Sequence, residues 1–328
     1  MTNLPMQRYS RGVAVMVLRV AGVAVVALAL LFPARLLGAP ALVFDPQKGT
    51  ILYQEDMDAL WHPASLTKLM TAYLTFEALR EGKLKLDGKI VTSKNANAQA
   101  PSKIGLPVGA SMRVELAIKA LLVKSANDVA VMLAEAVAGS EPAFVKRMNA
   151  TAKRLGMRRS RFVNPNGLPD DRQITTARDM AYLARALIKE YPEYAHFFAI
   201  PYLKIGKRRM RNYNGLLRTF EGADGMKTGF VCSSGYNIVV SATRRGRKLV
   251  AVVLGGKSGS ARNQRAASLL DHGFRRYRWR SLFGKNIDKL TIQASLTEGA
   301  PDLRSVICKR KRKVRKRRAR KKTIRKKK

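Results

Sequence analysis

The sequence predicts an α/β (α+β) fold in which one antiparallel sheet is assembled from both ends of a domain, with helices filling the stretch between. Three observations carry this expectation. Strand-like runs stand at Ala41–Gln54 and again at Asn237–Leu254. Apolar residues recur at helical spacing through most of the chain from Ala64 to Glu190. A last helical pattern, Ala261–Tyr277, follows the second pair of strands.

The first hairpin is read as Ala41–Asp45 and Thr50–Gln54 around a Pro-Gln-Lys-Gly turn. Ala64–Glu81 sets Leu66, Leu69, Met70, Tyr73 and Phe76 at helical spacing, and Gly82 stops the pattern. Val91–Val114 is polar and irregular and reads as loop. Glu115–Val123 is apolar almost throughout, so a buried helix is expected. A break at Ser125-Ala126-Asn127 precedes a third helix, Asp128–Ala138, which Asn127 or Asp128 is suited to cap. Helices follow at Glu141–Leu155 and Thr176–Glu190, then a hairpin of Asn237–Ala242 and Lys248–Leu254. The expected organisation is an export signal over 1–39, a folded domain over 40–278, an extension of unclear structure over 279–308, and a basic tail over 309–328 with little to bury.

Charge is the outlying bulk property. Lys and Arg number 63 against 22 Asp and Glu, a formal charge of +41, and sixteen of the last twenty residues are basic. Such a field attracts anionic polymers of any kind and says nothing about chemistry. The N-terminus narrows the partners. Arg8 and Arg11 precede thirteen apolar residues, Val20–Phe32, and Ala39-Pro40-Ala41 resembles a cleavage site, the pattern of a secretory signal. The run is shorter than the roughly 20 residues a spanning helix needs, with an uncleaved anchor as the alternative. Either way the rest of the chain is expected outside the cytoplasm, so nucleic acid is not an expected partner of the tail. Cys232 and Cys308 allow one pairing in an oxidising compartment, but two free thiols is the plainer expectation.

The chain has three histidines, His62, His196 and His272, and none sits in a metal-ligand motif; no G-x-S-x-G elbow is present. Zinc hydrolysis and an α/β-hydrolase triad are therefore not expected. Ser65-Leu66-Thr67-Lys68 is the one S-x-x-K. At a first helical turn, residues i and i+3 share a face, so Lys68 can reach the Ser65 hydroxyl. The helix start adds positive field where an alkoxide and an oxyanion develop. Lysine serves as a base only where burial or a second cation destabilises its ammonium. Ser125-Ala126-Asn127, between two buried helices, can aim a hydroxyl and an amide into a cleft. Ser93-Lys94-Asn95 has the same pattern but lies in polar sequence, and is set aside. Lys227-Thr228-Gly229 follows the turn residues Gly222, Asp224 and Gly225. A strand with Lys and Thr at a cleft edge can hold a carboxylate, and Gly229 lets a substrate approach the backbone. Lys257-Ser258-Gly259 competes with it but reads as a linker.

Ser65 and Ser125 are 60 residues apart, and Ser125 and Lys227 are 102 apart. This ordered triple resembles that of the penicillin-recognising serine enzymes. With PASLTKLMT (Pro63–Thr71), LLVKSANDVA (Leu121–Ala130), FVNPNGL (Phe162–Leu168), TARD (Thr176–Asp179) and DGMKTGF (Asp224–Phe230), the stretch Ala41–Tyr277 resembles the D-alanyl-D-alanine carboxypeptidase family of low-molecular-mass penicillin-binding proteins. The resemblance implies a β-lactamase/transpeptidase-like fold. It implies Ser65 as nucleophile, Lys68 as base and Ser125 as proton relay, with no metal and no organic cofactor. Asn127, Lys227, Thr228 and Gly229 would bind substrate, and the backbone N–H groups of Ser65 and Phe230 would form an oxyanion hole.

By the same resemblance the substrates are peptidoglycan stem peptides, trimmed of their terminal D-alanine on the periplasmic or wall side, with β-lactams as covalent inhibitors. A D,D-endopeptidase would use the same residues. A non-catalytic cationic protein of the wall or membrane would keep the tail without needing all three motifs. Class A β-lactamases carry a glutamate that activates the deacylating water; Phe162–Asp170 has none, which argues against that activity. Many relatives also carry a β-rich C-terminal domain and an amphipathic anchor, which are not read here, and Val231-Cys232-Ser233 is less polar than in many of them. The tail is expected either as a solvated extension or as a tether to anionic membrane or wall, worth about 1 kcal/mol per basic residue near the surface.

Overall fold

The computed structural model describes residues 39–292 and 299–308, so the expected export signal (apart from Ala39) and the basic tail lie outside the described residues. Strands β1 (Ala41–Phe44) and β2 (Ile51–Glu55) make the first hairpin. A 3₁₀ turn, Ala64–Thr67, runs directly into α1 (Lys68–Arg80). Short strands β3 (Lys89–Val91) and β4 (Ser111–Arg113) pair with each other and enclose α2 (Lys94–Ala98). Helices α3 (Val114–Lys119), α4 (Asn127–Ala138), α5 (Glu141–Arg154) and α6 (Ala177–Glu190) follow. A second small hairpin, β5 (Tyr202–Ile205) and β6 (Arg208–Arg211), and the short α7 (Leu216–Thr219) lead to β7 (Ala223–Val231), β8 (Gly235–Arg244) and β9 (Arg247–Gly256). Helix α8 (Gly259–Phe283) follows β9, and a short helical stretch stands at 304–308.

The large sheet has the order β2-β1-β9-β8-β7, every pair antiparallel, so strands from the two ends of the sequence meet where β1 pairs with β9. Strands β8 and β9 are nearly continuous apolar runs because both of their faces are covered. Val43, Ile238, Val240, Ala251 and Val253 pack with Ala266 and Leu270 of α8. Leu42, Val239, Val250 and Val252 belong to the larger core formed with the other helices. At its centre stands α1, whose residues from Lys68 to Phe76 are all buried, as befits a helix with no polar face.

Several local expectations are corrected. Val91–Val114 is not all loop: it holds parts of β3 and β4 and α2, which Ser93 caps by accepting the Ala96 N–H at 2.9 Å. The buried helix after Glu115 ends in a π-helical turn, Ala120–Lys124, which leaves Ser125 in the left-handed region at φ 59°, ψ 41°. Neither Asn127 nor Asp128 caps α4; the cap position is Ala126, and Asp128 instead accepts the N–H groups of Ile104 and Gly105 at 3.0 and 2.8 Å. Lys257-Ser258-Gly259 is not a linker but the start of α8, where Ser258 Oγ accepts the Ala261 N–H at 3.1 Å.

The two cysteines are not free. Cys232 and Cys308 form a disulfide with Cα atoms 5.7 Å apart. Pairing becomes possible because the chain after α8 returns to the domain: Leu303 donates its N–H to the Ser233 carbonyl at 2.9 Å, and Ile307 is buried. The same stretch is held further back by Arg178. That guanidinium, buried on α6, grips Asp58 through two bonds of 2.6 and 2.8 Å and donates to the carbonyls of Ile287 and Leu290 at 3.0 and 2.9 Å.

Breaking a buried ion pair by neutralising one partner strands the other, so Asp58→Asn should cost about 3–5 kcal/mol in urea unfolding; a shift within error would rule out a structural role for the pair. Reducing the disulfide, which closes a 76-residue separation, should lower stability by roughly 4 kcal/mol. Unfolding midpoints with and without reductant measure it, and Cys308→Ser should show the same loss without responding to reductant.

Candidate active site

The turn that carries Ser65 is fixed from three sides. Asn237 on β8 donates its side-chain amide to the carbonyls of His62 and Pro63 at 3.0 and 3.2 Å, and Trp61 donates its indole N–H to the Ser234 carbonyl at 3.0 Å. Strand β7 passes so close that a Cβ on Gly229 would lie 2.8 Å from the Pro63 carbonyl oxygen and 3.2 Å from the Ser65 nitrogen. On the other side a Cβ on Gly167, whose φ is +81°, would fall 2.0 Å from the Ala64 carbonyl oxygen. Only glycine fits at either place.

Lys68, one turn after Ser65 and fully buried, points its Nζ at three oxygens: Ser65 Oγ at 3.0 Å, Asn127 Oδ1 at 2.7 Å and the Asn166 carbonyl at 2.5 Å. These partners come from the turn, the start of α4 and the loop after α5. Burial, followed by the positive charge of Lys227, holds the Lys68 ammonium well below the ordinary lysine range, and Asp128 only partly opposes this. Asn127 keeps its place through two further bonds, N–H to the Ser102 carbonyl at 2.7 Å and Nδ2 to the Ala100 carbonyl at 2.8 Å.

Ser65, Ser125, Asn127, Thr228, Gly229 and Phe230 all line one cleft of about 510 Å³. The Ser125 hydroxyl is buried there and has no hydrogen-bond partner. Lys227 lies beneath the cleft surface, buried, with its Nζ donating to the Thr228 carbonyl at 3.0 Å. Burial, and next the cation of Arg262, lower its pKa to about 7. The structure therefore gathers Ser65, Ser125, Asn127, Thr228, Gly229 and Phe230 on one cleft, with Lys68 buried and bonded to Ser65 and Asn127, and Lys227 buried beside Thr228.

Three contributors were not read from sequence. Asn166 acts through its backbone carbonyl, while its amide donates to Gln99 at 2.8 Å. Arg262 of α8 lines the cleft, donating to the carbonyls of Asn237 and Tyr213 at 3.0 and 3.4 Å, and burial lowers its pKa to about 10. Tyr213 forms part of the cleft wall and remains half exposed. The arrangement sets a serine hydroxyl against a desolvated amine, with the buried Lys227 and Arg262 on the same side of the domain as the cleft, a geometry in which an amine can act as a base.

A relative from Bacillus subtilis, D-alanyl-D-alanine carboxypeptidase DacF, is 35% identical over 251 residues, covering 75% of this chain and 64% of its own length. The chain thus spans a little under two thirds of that relative. The crystal structure of D-alanyl-D-alanine carboxypeptidase DacD from Francisella tularensis superposes with a TM-score of 0.70 at 32% identity, over 72% of this chain and 70% of that one. Penicillin-binding protein D2 from Listeria monocytogenes, in its ampicillin-bound form, does so at 0.66 and 31%, over 74% of this chain and all of its own. The family model for D-alanyl-D-alanine carboxypeptidase matches residues 33–258. On that match, and on the site it encloses, the chain belongs to the D-alanyl-D-alanine carboxypeptidase family.

Proposed function

We propose that this chain is a serine-type carboxypeptidase that removes the terminal D-alanine from peptidoglycan stem peptides through an ester on Ser65. The observation that carries this reading is the buried Lys68 amine 3.0 Å from the Ser65 oxygen. A neutral lysine has two N–H donors and one lone pair. The Asn127 and Asn166 oxygens take the two donors, which leaves the lone pair for the Ser65 hydroxyl.

In the proposed reaction Lys68 accepts the Ser65 proton as Oγ attacks the penultimate D-alanine carbonyl. The oxyanion is taken by the backbone N–H groups of Ser65 and Phe230. The proton passes through Ser125 to the leaving amine of D-alanine, and the unpartnered Ser125 hydroxyl supports this role because substrate would supply its missing bond. Asn127 holds the substrate amide. Lys227, Thr228 and Gly229 receive the terminal carboxylate at the strand edge. Water then attacks the ester, returns a proton to Ser65 and frees the shortened peptide. β-Lactams would acylate Ser65 in the same way, a reading supported by the ampicillin-bound Listeria relative. We place the reaction outside the cytoplasm after export through the N-terminal segment, with the basic tail drawn to anionic membrane or wall. Among the described residues no helix is long and apolar enough to cross a membrane.

A fluorescent penicillin should label the wild type and not Ser65→Ala. An unlabelled wild type, or an undiminished signal in the variant, rejects the mechanism. Lys68→Ala should lose acylation by about 10³-fold while keeping its fold. A pentapeptide tested beside a cross-linked dimer separates carboxypeptidase from endopeptidase: the proposal requires faster turnover of the pentapeptide.

The carboxylate site also sets a pH dependence. Lys227 is a cation only below its pKa of about 7, so carboxylate recognition is full below that pH and is lost above it. The kcat/KM for a peptide with a free C-terminal carboxylate should therefore fall as pH rises through about 7. In kcat the fall should move to higher pH, because bound carboxylate retains the proton. Identical profiles for free-acid and C-terminally amidated peptides would remove Lys227 from that role.

A further inference from the structure

Helix α8 joins two unlike ends of the domain. Near its start Gly259 and Arg262 line the cleft. Towards its end Tyr277 donates to Asp45 in the β1–β2 turn at 2.6 Å, and its ring meets Lys48 at 5.9 Å and Arg247 of the β8–β9 turn at 4.8 Å. Two residues beyond Tyr277 an aromatic pair stands in solvent. Trp279 and Phe283 are 70% and 71% exposed, with ring centroids 5.2 Å apart. Such exposure of two large aromatic rings on one helical face calls for a partner.

The surroundings identify its chemistry. Arg275, Arg276 and Lys285 are exposed, and Lys48 and Arg247 flank the same end. The nearby acids are already engaged: Asp45 with Tyr277, Asp271 with Arg244, and Asp288 with Arg185. Arg276 and Lys285 also line a cavity of about 390 Å³ against edge strand β2, room enough for a phosphate headgroup. Aromatic rings amid Arg and Lys, with Asp45, Asp271 and Asp288 among the described residues already engaged, match the polarity profile of a lipid interface: rings at the headgroup–acyl boundary and cations on the phosphates.

We propose that this end of α8 docks on the surface of an anionic bilayer, with Trp279 and Phe283 entering the interface and Arg275, Arg276 and Lys285 on lipid phosphates. Trp279 lies 17 residues after Arg262, about 25 Å along a helix axis, so docking leaves the cleft standing off the lipid. The inference does not depend on which peptide bond the cleft cuts.

The chain has two tryptophans, and Trp61 is buried, so a change in emission on adding lipid reports Trp279. The full chain is mixed with phosphatidylglycerol-containing vesicles whose acyl chains are brominated. The expected result is a blue shift with quenching by bromine, absent with phosphatidylcholine vesicles alone, and at least about tenfold weaker partition for Trp279→Ser/Phe283→Ser. Vesicle binding with unchanged emission would mean that the tail alone holds the lipid, and overturns the proposal. So would equal binding to uncharged vesicles, no binding at all, or a blue shift that grows with protein concentration in the absence of lipid, which would mark a second copy as the occupant.

Discussion

Keeping one amine dry is the constraint around which the rest of the molecule is arranged. Lys68 sits at the head of the central helix with no exposure, where an ammonium ion loses several kcal/mol of hydration that nearby groups only partly return. Lys227 adds repulsion, and Asp128 answers it in part. What compensates the amine is a set of oxygens drawn from three separate stretches of chain, so the tertiary fold, and no single element, defines the proton affinity of the base.

Several local irregularities become intelligible from that requirement. Asn127 heads α4 yet does not cap it, because its amide oxygen faces Lys68. The π-helical turn before it ends with Ser125 in a left-handed conformation, which puts that hydroxyl in the cleft instead of continuing the helix. Gly229 and Gly167 press against the two sides of the Ser65 turn, and a methyl group at either would push the hydroxyl away from the amine. Asn127 thus meets Lys68 Nζ directly, and the two glycines meet the backbone of the Ser65 turn.

How much of this the sequence discloses depends on the range over which each interaction is encoded. The sheet from both ends is readable because strand and helix periodicities are local, and the i, i+3 relation of Ser65 to Lys68 needs one helical turn. Asn166 could be seen as part of a quoted block but not as a ligand of Lys68, since a backbone carbonyl has no residue signature. Arg262 lies in a helix where several arginines share similar spacing, and only the packing of α8 decides which one enters the cleft. The disulfide was unreadable for the same reason: it depends on the chain after Phe283 folding back onto β7, guided by Arg178 and Leu303 at positions whose composition predicts little. Asn127 read as a cap or as an amide aimed into a cleft, and its contact with Lys68 was not legible, because the contest between a helix end and a buried amine is decided only in the folded chain.

The disulfide has a geometric consequence for the polycation that follows it. Lys309 is bonded to Cys308, and Cys308 is cross-linked to Cys232, two residues past Phe230 on the cleft wall. Cys308, the last residue before the twenty-residue basic segment, is thereby fixed at a position two residues past the cleft-wall residue Phe230. Cutting the one sulfur–sulfur bond would free Cys308 from that position without altering any residue that lines the cleft.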